Sequence, residues 1–235
     1  MIMKKRSGFT LTELVVATMI SGFIAVSLIT VYSTANRHVF QNYRGNTVKS
    51  DAAIGMRAIR NAMAQATRID SPGENSTSSR LELVSNVDSL TGCYPIYRDP
   101  DNTYYSPPSW YIFCTASVSG NTKLFYYSGT FGGSCACPGN PCAAPVIPNV
   151  NCGSNGNNMM QLAQFLNTAV PVFSRSWSLQ DVPVGDKLSV RVQIHSVWQA
   201  AGRGTVGTNA YDFSTTQRDV DTSLDSTFSI SRPGN

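Results

Sequence analysis

At 235 residues the chain is long enough for one sizeable domain, or for a long helix followed by one domain. Only 14% of the residues are charged, against a usual quarter, and Lys4, Lys5 and Arg6 at the start contribute to a modest net charge of +4. That balance offers little to a phosphate backbone, and no specific nucleic-acid partner is expected.

The first predicted element is apolar. Residues 9–32 read FTLTELVVATMISGFIAVSLITVY, with Glu13 as the one charge. About 24 such residues at about 1.5 Å each span a bilayer core. The basic triplet before them keeps the N-terminus cytoplasmic and sends the rest outward. An ordinary secretory signal peptide fits less well. Its apolar run is shorter, a small-residue cleavage site follows that run, and here the small residue Gly8 precedes it.

Residues 4–16, KKRSGFTLTELVV, closely resemble the class III leader of type IV prepilins and type II secretion pseudopilins. The resemblance is tight over residues 4–32 and weak beyond about 70. It implies a leader of residues 1–8, cut by a prepilin peptidase between Gly8 and Phe9, and methylation of Phe9. It further implies assembly with other pilin or pseudopilin subunits through an inner-membrane platform. The head would then stand in the periplasm and later at the cell surface, in a pilus or pseudopilus. Glu13 becomes the fifth mature residue. Its physics points the same way. An ionised carboxylate in hydrocarbon costs about 2.5–3.5 kcal/mol on insertion scales and persists where it finds a partner. Cleavage creates an amine on Phe9, four residues away, as the expected partner from the same or a neighbouring chain.

The helical pattern continues beyond the membrane segment. Val48, Ala52, Met56, Ile59, Met63 and Ala66 recur at steps of four and three, one apolar stripe of an amphipathic helix. The economical expectation is one helix over 9–69, roughly 90 Å long, with residues 33–70 as its amphipathic part. Ser71-Pro72-Gly73 is its expected stop. Thr30 stands where major pilins usually carry a proline. With the chain's size, that favours a minor pilin or minor pseudopilin, and the order of long helix, strands and a late alternating strand resembles the large minor pilins and J-type pseudopilins.

Residues 71–235 read as a globular head. Strands are expected over 80–87, 110–118, 123–128 and 187–198, with a tight turn at 119–122. Residues 159–166 (MMQLAQFL) read as a short helix and the polar tail 214–235 as frayed. The fold class is therefore α+β, a long helix packed on an antiparallel sheet. Cysteines 93, 114, 135, 137, 142 and 152 all follow the apolar segment and read as disulfides of an oxidising compartment. Cys93 with Cys114 is one pairing among 15. Four of the six lie in a Gly/Pro/Asn-rich loop over 129–158. The spacing of Cys135, Cys137 and Cys142 is poor for zinc, since no His lies near.

No enzymatic constellation emerges. His38 reads as interfacial and His195 as an exposed strand residue. Asp99, Asp101 and Asn102 lack calcium-loop spacing, and 201–213 lacks the order of a phosphate loop. Asn75-Ser-Thr77 fits a glycosylation sequon weakly. Tyr94, Tyr97, Tyr104, Tyr105, Trp110 and Tyr111 favour core packing over adhesion. No catalytic residue, cofactor or metal is expected. The leading expectation is a minor pilin-like structural subunit of a type IV pilus. The alternatives are a minor pseudopilin of a type II secretion system and a filament-tip adhesion or binding module.

Overall fold

The computed structural model describes residues 10–87, 93–94, 107–132, 145–154, 158–175, 188–198 and 220–230. The chain divides into two units, Met1–Tyr43 and Arg44–Asn235. The helix α1, Leu11–Gln65, has its first residues in one and its last in the other. In the first unit every residue from Leu11 to Tyr32 is exposed. By length and composition α1 is able to cross a membrane.

In the second unit α1 is one-sided. Val48, Ala52, Gly55, Ile59, Ala62 and Met63 are buried, while Lys49, Arg57, Arg60 and Asn61 are exposed. The expected stripe is therefore the core face. The helix ends at Gln65, before the expected 69, because the next residues are claimed by a sheet. Strand β1 is Ala66–Ser71 and pairs antiparallel with β3, Arg80–Ser85. The β-branched Thr67 fixes this choice. Its hydroxyl donates to Val87 O at 2.7 Å and accepts from Val87 N–H at 3.2 Å, so a buried polar group is satisfied only in the strand. Ser71-Pro72-Gly73 consequently ends a strand and not the helix.

The remaining strands are β2 (Ser76–Ser78), β4 (Ser109–Val118), β5 (Asn121–Thr130), β6 (Met160–Ala163), β7 (Phe173–Arg175), β8 (Leu188–Trp198) and β9 (Val220–Ile230). They form two antiparallel sheets where one was expected, a five-stranded sheet β1-β3-β4-β5-β6 and a four-stranded sheet β2-β7-β8-β9. The β4–β5 hairpin turns on Ser119 and Gly120, both at positive φ, as a two-residue primed turn demands.

Two expectations fail here. Residues 160–163 are a strand, not part of a helix, because they pair with the edge of β5 and bury Leu162 and Ala163. The tail does not fray over 220–230, since β9 pairs with β8 along all of Leu188–Trp198. Residues 129–158 are not all loop either, as β5 runs to Thr130.

The main core joins α1 to both sheets: Ile59 and Met63 share one buried cluster with Leu83 and Phe113 of the first sheet and Phe173, Val190, Val192 and Ile194 of the second. A Cβ built on Gly55 would lie 3.2 Å from Ile194 Cδ1 and 3.2 Å from Leu124 Cδ2, so this glycine admits both sheets to the helix. On β5, Gly129 lies under the cross-strand Trp110, where a Cβ would come 2.4 Å from the indole ring. Gly129→Val should therefore push the indole off the sheet, lower stability by about 1–3 kcal/mol and red-shift tryptophan emission. A thermal melt with fluorescence detection checks both.

Candidate functional site

The candidate site is the start of α1. Gly8 and Phe9, the expected cleavage and methylation residues, lie outside the described residues. Glu13 lies within them, in the first turn. Thr10 precedes the helix as its N-cap. Glu13 Oε2 accepts from Thr10 N–H and from Thr10 Oγ1, each at 2.9 Å, and Thr10 Oγ1 lies 3.3 Å from Glu13 N–H. This is a capping box, in which residue and helix end satisfy each other's orphan groups. The carboxylate therefore has local partners before any amine is supplied by cleavage. Sequence reasoning missed Thr10, although Thr10-Leu-Thr-Glu13 before an apolar run is the S/T-x-x-E signature of this cap.

The rest of the apolar stretch hides its polar groups in the same local way. Thr18 Oγ1 donates to Val15 O at 2.9 Å, Ser27 Oγ to Phe23 O at 2.8 Å, and Thr30 Oγ1 to Val26 O at 2.9 Å. Each hydroxyl is returned to the helix backbone, which suits a medium without water. What remains outward is a surface of Leu, Val, Ile, Met and Phe side chains, with Phe23 76% exposed.

The other predicted site residues fall elsewhere. Cys114 is bonded to Cys152, not to Cys93. The strand pairing places Cys114 opposite Phe125 and leaves its thiol facing the segment after β5. Cys93 is also disulfide-bonded. Cys135, Cys137 and Cys142 lie outside the described residues, as do Asp99, Asp101, Asn102, Tyr97, Tyr104, Tyr105 and residues 201–213. Trp110 packs on the outer cluster of the five-stranded sheet, while Tyr111 packs against the main core and donates to Gln65 Oε1 at 2.9 Å. His38 is exposed. His195 is half-buried, with Nδ1 3.3 Å from Asn167 Nδ2 and Nε2 3.9 Å from Asp221.

Two carboxylates in the second unit show opposite electrostatics. The Arg191 guanidinium grips Asp225 across β8 and β9, and its hydrogen bonds hold that carboxyl below the usual range. Partial burial on α1 pushes Asp51 up, opposed by a hydrogen bond with Gln164.

Residues 3–29 match the prokaryotic N-terminal methylation motif. That match, with the fold above, supports a type IV pilin- or pseudopilin-like protein; the motif implies processing by a prepilin peptidase and assembly with other pilins, and the apolar helix fits membrane anchoring. Searches of curated proteins and of solved structures give no match.

Thr10→Ala should remove the cap, at a cost of about 0.5–2 kcal/mol to the first turn, and speed amide exchange at residues 11–14 in micelles. Asp51→Asn should stabilise the protein at neutral pH. A carboxyl whose folded pKa is raised binds its proton more tightly in the folded state. Wild type therefore loses stability as pH rises from the ordinary carboxylate range through the folded pKa, and the variant does not. Urea midpoints of the two proteins should differ at pH 7 and converge at pH 3.

Proposed function

We propose that the chain is a minor pilin-like structural subunit of a type IV pilus, inserted in the inner membrane and then built into the filament or its tip. The observation that carries this reading is the methylation motif on an apolar helix with every residue from Leu11 to Tyr32 exposed and a single acid near its start. Residues 1–8 serve as leader, 9–32 as the membrane part, 33–65 as the rest of the helix, and the segment from β1 onward completes the head. The reading assigns the protein no enzymatic activity, cofactor or nucleic-acid partner.

The mechanism follows from Glu13. In the uncut chain its carboxylate is held by the Thr10 amide and hydroxyl. These are neutral donors, and a charged donor is roughly twice as strong. Cleavage after Gly8 leaves a positive amine on Phe9, next to Thr10, and methylation keeps that charge. The amine of an incoming subunit then competes for Glu13 in a low-dielectric medium where the attraction is large. Pairing between chains fixes the axial offset of neighbouring helices and draws the next subunit from the membrane.

Mass spectrometry of the mature protein should find Phe9, N-methylated, at its terminus. Glu13→Ala should leave membrane insertion and cleavage intact and reduce incorporation into sheared filaments by about tenfold or more, the equivalent of one charged contact. An intact Met1 terminus, or wild-type incorporation of the variant, would sink the reading.

A further inference from the structure

The five-stranded sheet has two apolar faces, and only the inner one meets α1. On the outer face Ile112, Cys114, Phe125 and Tyr127 are buried, with Trp110, Ala116 and Val118 beside them. What buries them includes a strap, residues 145–154, whose Ile147, Val150 and Cys152 pack onto that face. The strap has no strand pairing of its own. It is held at separate points. Arg68 Nη2 donates to Pro145 O at 3.0 Å and Arg80 Nη1 to Val150 O at 2.8 Å. Tyr127 donates its hydroxyl proton to Ser154 O at 3.2 Å and accepts from Gly153 N–H at 3.0 Å. The Cys114–Cys152 disulfide ties it to β4. Gly153, at φ +82°, passes so close that a Cβ there would lie 3.0 Å from Ala116 Cβ.

We infer that the Cys114–Cys152 bond is a redox latch on this strap: oxidised, it closes the outer layer of the head; reduced, it lets the strap leave and uncovers the apolar face beneath. The two hydrogen bonds at Tyr127 are each worth about 0.5–1.5 kcal/mol net and the two from Arg68 and Arg80 about 1.5–3 kcal/mol, and water can replace every one of them. Among the described contacts of the strap, the disulfide is the covalent one. An open cavity of about 460 Å³ adjoins it, lined by Ser79, Arg80, Thr115, Asn149, Val150 and Asn151 with both cysteines. A small dithiol fits there. Cys114 is only 2% exposed and Cys152 is half-buried, so attack falls on the Cys152 sulfur. The dithiol's thiolate forms a mixed disulfide with Cys152 and expels Cys114 as a thiolate, which takes up a proton. The second thiol then displaces Cys152 and leaves as the oxidised dithiol. Closure runs in reverse, with two protein thiols reducing an external disulfide. The head therefore completes its outer layer only where such an oxidant is present. This inference concerns the head alone and stands whether or not the chain enters a filament.

The test uses the full chain in detergent micelles, in three states: oxidised, treated after folding with dithiothreitol, and as the double variant Cys114→Ser/Cys152→Ser, which leaves the bond at Cys93 intact. Proteolysis within 145–154 should accelerate about tenfold or more in the second and third states. Binding of an apolar dye should rise with it. Peptides containing Ile59 and Leu83 should keep their slow hydrogen exchange in all three. Unchanged protection of 145–154 would show that Arg68, Arg80 and Tyr127 hold the strap unaided, and would overturn the latch. Loss of protection at Ile59 and Leu83 together with the strap would overturn it too, since the bond would then be a staple of the whole head.

Discussion

The head depends on one helix face serving two sheets at once. The main core, which takes in both sheets, is built on it. Ile59 and Met63 lie in one cluster with the first sheet's Leu83 and Phe113 and the second sheet's Phe173 and Ile194. Each fully buried side chain of this size contributes about 1.5–3 kcal/mol by removal from water. Several buried positions of the helix are small. Ala52 and Ala62 are buried, and Gly55 brings Ile194 and Leu124 to 3.2 Å of a would-be Cβ. A glycine in a helix interior costs about 1 kcal/mol relative to alanine. Here that cost is offset by the approach of side chains from two directions.

The first residues of the same helix obey a different rule. There, among the described residues, side chains from Leu11 to Tyr32 are exposed, and several polar groups are satisfied from within the turn. Thr18, Ser27 and Thr30 donate to carbonyls three or four residues back, and Glu13 is held by Thr10. The acid thus has two properties that matter together. On the proposed assembly, it is satisfied well enough to enter an apolar medium, and it is held by neutral groups that a cation can outcompete. A bare carboxylate would resist insertion, and one already paired with arginine would have no use for a new amine. Glu13 is the only charge in residues 9–32, so no other group of this segment offers that competition.

Much of this was legible in the sequence because periodicity carried it. The stripe Val48, Ala52, Ile59 and Met63, with half-buried Met56, lies on the buried face of α1, and the alternation of Val190, Val192 and Ile194 marks β8. The failures have a common cause, in that local pattern was overridden or masked by pairing. Residues 159–166 offer Met, Gln, Leu and Ala, all sound helix formers, yet the free edge of β5 recruits 160–163 as a strand. Residues 220–230 do alternate, with Val220, Leu224 and Phe228 on the inner side. Thr222 and Ser226 share that side, so hydrophobicity hides the period. The pairing of Cys114 was illegible for another reason. It depends on which face of β4 each residue takes, and Cys152 reaches that face only by the path of a strap without regular structure. At the N-terminal site Glu13 was visible as a lone acid, while Thr10 was legible only through its S/T-x-x-E spacing to that acid.

The two sheets solve the problem of their outer faces by different means, and this accounts for much of the composition. The second sheet does it with side chains. Asp221, Ser223, Asp225, Thr227 and Ser229 are the exposed positions of β9, and Arg191 and Gln193 of β8 donate to Asp225 across the strands. Such a face is content in water, and it is why a polar, low-charge segment still makes a long strand. The first sheet instead carries Ile112, Phe125 and Tyr127 outward and needs a cover. A strap of Pro, Asn and Gly cannot supply that cover by burial alone, since Ile147 and Val150 are its chief apolar contributions. It needs an external constraint. The cysteine at β4 provides one at the point where the strap passes closest, between Val150 and Gly153. The Cys114–Cys152 bond is, on this argument, the consequence of a sheet with two apolar faces and one helix.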